Sequence, residues 1–269
     1  MADVALSQGL AAGTTATNTQ QHQQPSKTPN DYGTPNLLFL FYIPQVPESE
    51  KDNINSQKAD IQSWFAYELG KTELQVLDQL EDGNLPTDDS AASRVKRTTY
   101  RAKVVKVYRE NGQTWAPRSQ TGNATKKMTV KKQDLNGAIR EELLTHYITR
   151  GAVPAEFSFI LQTVNLLIAS NPSWEHKYLI SHVDFKYNPS TKEIKPDITV
   201  SSFEVKVPDQ NDDHADENIV IEYSDYKLGF VRDTWNDAKG AAMDFITAGE
   251  GIRKQMSLEF YVGGSNSST

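Results

Sequence analysis

Two carboxylates and a lysine make the sharpest chemical pattern in this chain. Pro196-Asp197 is followed by Glu204-Val205-Lys206, with six residues between the two acids. Paired carboxylates can hold Mg²⁺, and a lysine beside them can support an attacking water. Strand periodicity sets a condition on that chemistry. If 194–207 is one continuous strand, Asp197 and Glu204 have opposite parity and point to opposite faces. A second arrangement places His182 and Asp184 on one strand face, with His214 in an acidic loop, the ligand types of a two-histidine, one-carboxylate iron site. A partly exposed strand face accounts for that spacing without a metal. A third pattern is basic: Arg94, Lys96, Arg97, Arg101, Lys103 and Lys106 crowd into 94–106. Such a run could bind phosphate, but is read here as a solvated sheet face. Nucleophile elbow, phosphate-cradling glycine loop, zinc spacing and dinucleotide fingerprint are all missing from the sequence. Neither a cofactor nor a metal is therefore expected.

The Pro-Asp and Glu-x-Lys run resembles the motif of metal-dependent nucleases of the restriction-endonuclease type, over eleven residues. The resemblance implies Asp197 and Glu204 as Mg²⁺ ligands, with Lys206 beside the attacking water. Charge argues the other way. A net charge of −7 and a pI near 5.3 disfavour a nucleic-acid partner held by phosphate neutralisation. The chain has no cysteine, so disulfides and thiolate chemistry are excluded. No basic region followed by an apolar core opens the sequence, so no secretory leader is read and synthesis in the cytoplasm is expected. The longest apolar run, 157–169, is interrupted by Ser158, Gln162, Thr163 and Asn165. A membrane-spanning helix needs about 20 residues, more than this run supplies.

The elements that would position these groups centre on 175–230. The run 175–187 alternates, with Leu179, Val183, Phe185 and Tyr187 on one parity and Tyr178, Ile180, His182, Asp184 and Lys186 on the other. That is the period of a strand. Asn188-Pro189-Ser190-Thr191-Lys192 reads as a turn. The run 194–207 is rich in β-branched residues, and 219–228 restores the alternation after an acidic loop at 209–218. Short connections require antiparallel neighbours, so the three runs form a meander.

Around this meander, Leu37–Ile43 is apolar on both parities and is closed by Pro44 and Pro47, the pattern of a strand buried on both faces. Residues 57–69 carry a helical stripe of Ile61, Trp64, Phe65 and Leu69, which Gly70 is expected to interrupt before it resumes to Gly83. Arg97–Tyr108 alternates and precedes Asn111-Gly112, the signature of a hairpin with a return strand through Trp115. A loop at 118–127 and a short strand at 128–131 follow. Helices are expected from the Asp134 N-cap to Gly151, over 155–170, and from Asp233 to about Gly249. Residues 256–262 alternate and close the fold as a strand.

The reading is one α+β domain over 34–262, a mainly antiparallel sheet of six to eight strands covered by helices. Residues 1–33 form a flexible arm, poor in large apolar groups, and 263–269 a flexible tail. Fully burying a Leu, Phe or Ile side chain contributes about 1.5–3 kcal/mol. Leu37–Ile43 is thus expected to be indispensable to the core and residues 1–30 dispensable. With no catalytic constellation beyond Asp197, Glu204 and Lys206, the expected function is non-enzymatic self-association, as in a coat, particle or inclusion component, with further copies of the chain as partner. The element order is also similar to that of bacterial cytolysins, in which helices sheathe long strands. That similarity implies a membrane as the second candidate partner. The metal-dependent nuclease is the third reading.

Overall fold

The computed structural model describes residue 31 and residues 37–119, 124–138, 141, 175–206 and 218–262. Its elements in order are β1 (Leu37–Pro44), α1 (Lys51–Glu81), α2 (Ala91–Glu110), β2 (Ala124–Lys131), α3 (Leu135–Ala138), β3 (Glu175–Asn188), β4 (Glu193–Lys206), β5 (Asn218–Leu228), α4 (Arg232–Lys239), α5 (Met243–Gln255) and β6 (Ser257–Val262). Among the described residues the strands make one six-stranded sheet in the order β2-β5-β4-β3-β1-β6. The fold is α+β, as expected. The sheet is mixed, because β1 runs parallel to both β3 and β6 while the other three pairings are antiparallel.

The meander is where alternation put it, with β4 between β3 and β5. Strand β1 sits between β3 and β6, and all seven residues Leu37–Ile43 are buried. Its alternate side chains feed two cores. Leu37, Phe39, Phe41 and Ile43 join Leu179, Val183, Ile198 and Val200 beneath the helices, against Trp64 and Phe65 of α1, Val105 of α2 and Trp235 of α4. On the opposite face Leu38, Leu40 and Tyr42 join Tyr178, Ile180, Phe203, Val205 and Ile221. The two cores are offset along β4. Its helix-side apolar residues are Ile194, Ile198 and Val200, whereas those of the opposite face are Phe203 and Val205. Each face of β4 therefore turns polar where the other becomes apolar.

The segment 97–108 is not a strand. It lies inside helix α2, which Ser90 caps by accepting a hydrogen bond from the Ser93 amide. Asn111-Gly112 ends that helix instead of turning a hairpin: Asn111 is the C-cap, and Gly112 takes the left-handed conformation at φ 76° that suits the residue after it. No return strand forms at Trp115, whose ring packs on Trp235 with centroids 5.2 Å apart. The physical reason is a row of buried arginines. Arg97, Arg101 and Arg109 lie on one helical stripe with Val105, each four residues from the next, and are 0%, 1% and 0% exposed. Taken as surface groups they hid the helical period.

Each guanidinium is fixed by groups from another part of the chain. Arg97 donates to Asp31 at 2.7 and 2.9 Å and to the carbonyls of Pro86 and Asp88. Arg101 bridges Asp31 at 2.6 Å and Glu73 of α1 at 2.6 and 3.0 Å. Arg109 holds Glu68 of α1 at 2.7 Å, donates to Ser181 of β3, and lies 4.8 Å from the centre of the Phe65 ring.

Gly70 does not break α1, which runs uninterrupted to Glu81. It serves close approach. A Cβ on Gly70 would sit 2.1 Å from the Phe245 carbonyl oxygen, and one on Gly249 would sit 1.9 Å from that of Ala66. Two small-residue sites thus let α1 and α5 touch backbone to backbone. The C-terminal helix expected from Asp233 to Gly249 is two helices, α4 and α5. Gly249 lies within α5, and Val231 rather than Asp233 is the N-cap of α4. Of the loop expected at 118–127, Ala124 to Lys127 belong to β2, and 120–123 lie outside the described residues. The helices expected over 139–170 and both terminal segments, apart from Asp31, lie outside the described residues.

Asp31 was placed in the arm by composition, yet it is 1% exposed between two guanidiniums. Removing one partner of a buried ion pair costs about 3–5 kcal/mol, because the remaining charge stays buried. Deleting residues 1–30 should leave the urea midpoint nearly unchanged, and Asp31→Ala should lower stability by about 3–5 kcal/mol. Equal midpoints for Asp31→Ala and the wild-type chain would show that the network tolerates its loss.

Candidate functional site

Where the helix-side core stops, β2, β5, β4 and β3 continue as a polar floor. Cross-strand register builds that floor from residues far apart in sequence. Lys127 pairs with Glu222, Glu222 with Glu204, and Glu204 with Lys177, giving a Lys-Glu-Glu-Lys row across four strands. The next row on the same face is Thr125, Ser224 and Ser202, ending at Leu179 of the core. With Lys106 of α2, these residues line an open cleft of about 460 Å³, to which Lys126 and Tyr223 also contribute. That volume matches sites for small molecules, which span about 300–1,000 Å³.

Like charges directly opposed across two strands are destabilising, so the Glu204–Glu222 pair needs cations around it. Lys177 lies 2.9 Å from Glu204, Lys127 lies 2.9 Å from Glu222, and Lys206 reaches both, at 3.0 and 3.4 Å. Glu204 is buried at 8% exposure while the outer groups are wetter. The hydrogen bond from Lys127, with Lys206 adding to it against a smaller cost of burial, holds the Glu222 carboxyl below the usual range. Lys106 is held at the cleft wall by Glu110, one helical turn on, at 2.5 Å.

The three residues of the nuclease-like pattern do not converge. Strand β4 is continuous, and Glu204 and Lys206 meet at 3.0 Å on the helix side. Asp197 falls on the opposite face, where it pairs across the sheet with Asp184. Lys186 holds it at 2.6 Å and Lys227 at 3.1 Å. Partial burial pushes the Asp197 carboxyl up, and the hydrogen bonds and charges of Lys186 and Lys227 together outweigh it, leaving the group below its ordinary value. His182 and Asp184 share that opposite face, with the His182 ring edge-on to Tyr42 at 4.5 Å. His214 lies outside the described residues, and among the described residues no cluster of three or more His, Asp or Glu side chains could hold a metal. The basic run lies on helix α2 and is no sheet face, and its Arg97 and Arg101 point inward to carboxylates.

Sequence reasoning missed the cleft. Its signals were the alternate polar positions 125 and 127, 202, 204 and 206, and 222 and 224, which share one face only once the register is known.

No protein-family profile matches this chain, and no curated protein matches it in sequence. Among solved structures it is similar to one described as the structure of the Evf virulence factor, at 10% identity over 86% of this chain and 88% of that chain, with a TM-score of 0.40. At that distance no residue role transfers. Among the described residues no helix is long and apolar enough to cross a membrane.

The carboxylate of Asp197 gives a pH test of the paired faces. A carboxyl whose folded value lies below its unfolded value adds stability above the unfolded value, and that stability is lost as pH falls through the folded one. Replacing Lys186 and Lys227 together by Met removes what holds Asp197 down. The acid-unfolding midpoint, followed by circular dichroism, should move to higher pH in the double variant. An unshifted midpoint would show that solvent screens this triad.

Proposed function

We propose that this chain acts by self-association rather than by chemistry of its own, and that the outer edge of β6 is the joining surface. One observation carries the reading: among the described residues, the two ends of the sheet are unequally protected. Strand edges invite pairing with another chain, and proteins blunt them with lysine, proline or very short strands. The β2 edge carries Lys126, Lys127 and Lys131. Strand β6 reads Ser-Leu-Glu-Phe-Tyr-Val, with neither lysine nor proline, and its Tyr261 is 77% exposed. Its one acid, Glu259, is already engaged by Lys58 at 2.9 Å and Gln62 at 3.1 Å. Two copies joined antiparallel at β6 would satisfy both edges with one self-complementary contact. Size-exclusion chromatography with light scattering should show concentration-dependent association that Tyr261→Lys weakens at unchanged melting temperature. A wild-type chain that stays monomeric at every concentration reached would overturn the proposal.

A second reading, membrane insertion, is favoured by the β3–β4 hairpin. Over 179–187 and 194–200 its helix-side positions are Leu179, Ser181, Val183, Phe185, Tyr187, Ile194, Pro196, Ile198 and Val200, all but Tyr187 and Pro196 buried. Its other side carries buried Ile180 and His182 and then Asp184, Lys186, Lys195, Asp197 and Thr199, and its tip at 188–193 is polar. A membrane-spanning strand needs about 9–11 residues of such alternation. This reading predicts dye release from phosphatidylcholine vesicles and a rise in strand content on lipid. Intact vesicles across several lipid compositions would count against it.

A further inference from the structure

The polar cleft on the helix side gathers lysines from several elements in a chain that is acidic overall. Among the described residues, Lys106, Lys127 and Lys177 line it with Glu204 and Glu222, in a protein of net charge −7, while Lys126 pairs with Tyr223 towards the other face. Lys206 adds a further cation to the same two carboxylates. Among the described residues, the ammonium groups of Lys127, Lys177 and Lys206 thus gather around Glu204 and Glu222. The cleft is also furnished with hydroxyls, because Thr125, Ser224 and Ser202 form the adjacent row on the same face.

We propose that this cleft binds a phosphate-bearing ligand of the size of a sugar phosphate or a lipid headgroup. Lys127, Lys177 and Lys106 stand on β2, β3 and α2, so their ammonium groups reach the cleft from three sides. Phosphate offers several acid oxygens to donors placed in this way, and hydrogen bonds between such charged partners are about twice as strong as neutral ones. Glu204 and Glu222 fix the lysine positions before a ligand arrives, which lowers the ordering cost of binding. The hydroxyl row takes the ligand's own hydroxyls. An extended nucleic acid fits poorly, because the cleft is about 460 Å³ and the chain around it is acidic. Nothing in this site depends on the β6 edge, so it stands apart from self-association.

The test is calorimetric titration of the full chain with glucose 6-phosphate, with glucose as the uncharged control, alongside sedimentation with vesicles of phosphatidylcholine with or without phosphatidic acid. Lys127 is well exposed at 67% of its side chain, so its replacement leaves the fold intact. Saturable binding of glucose 6-phosphate but not glucose is expected, weakened about tenfold or more by Lys127→Ala with Lys177→Ala. It should be unchanged by Lys186→Ala with Lys227→Ala on the opposite face. Binding only to vesicles containing phosphatidic acid, with the same dependence on Lys127 and Lys177, assigns the cleft to a lipid headgroup. The proposal is overturned if neither probe binds, or if binding survives loss of Lys127 and Lys177. Comparable melting temperatures for the two double variants exclude unfolding as the cause.

Discussion

The buried guanidinium row of α2 is the constraint on which the rest of this structure depends. A charge taken out of water costs several kcal/mol, and is tolerated only where opposite charges and hydrogen bonds replace the solvent. Arg97, Arg101 and Arg109 meet that condition with three acids from two segments, Asp31 before β1 and Glu73 and Glu68 on α1, and with Ser181 in the sheet. None of these partners is local in sequence. The helix therefore cannot dock until the residues before β1, helix α1 and strand β3 are in place together. Burial raises the Glu68 carboxyl, while Arg109 and the hydrogen bonds from Gln113 and Trp64 oppose the shift. Such a site fixes one docking geometry more than it adds net stability, since apolar isosteres can often replace buried ion pairs.

The offset of the two cores follows from the same helical layer. Helices α1, α2, α4 and α5 cover the half of the sheet that carries Ile194, Ile198 and Val200. Beyond them the helix-side face turns polar, and its strands carry Lys127, Lys177, Glu204 and Glu222. The reverse holds on the other face, where Phe203, Val205 and Ile221 are buried and the Asp197 end is polar. One sheet thereby acquires a lysine-lined cleft on one face and the Lys186–Asp197–Lys227 triad on the other. The tight contact of α1 with α5 through Gly70 and Gly249 carries the chain from the helical layer into β6 at the sheet's edge.

Sequence by itself determined the three strands of the meander and the buried strand β1, though not the strands it suggested at 97–108 and at Trp115. Alternation is a local property, because successive side chains on a strand must face opposite ways. Hence 175–187, 194–206 and 219–228 were legible, as was the opposite parity of Asp197 and Glu204. Leu37–Ile43 was legible for the complementary reason, since a run apolar on both parities has no face to offer water. Tertiary structure alone decided α2, because an arginine reads as a surface residue until Asp31, Glu68 and Glu73 are brought beside it from elsewhere. It alone decided that Gly70 joins two helices instead of ending one, since the Phe245 carbonyl that excludes a side chain there lies more than a hundred residues away. The cleft belongs to the same class. Its rows exist only when the register sets Lys127 beside Glu222 and Lys177 beside Glu204, and register across four strands is a property of the assembled sheet rather than of any one segment.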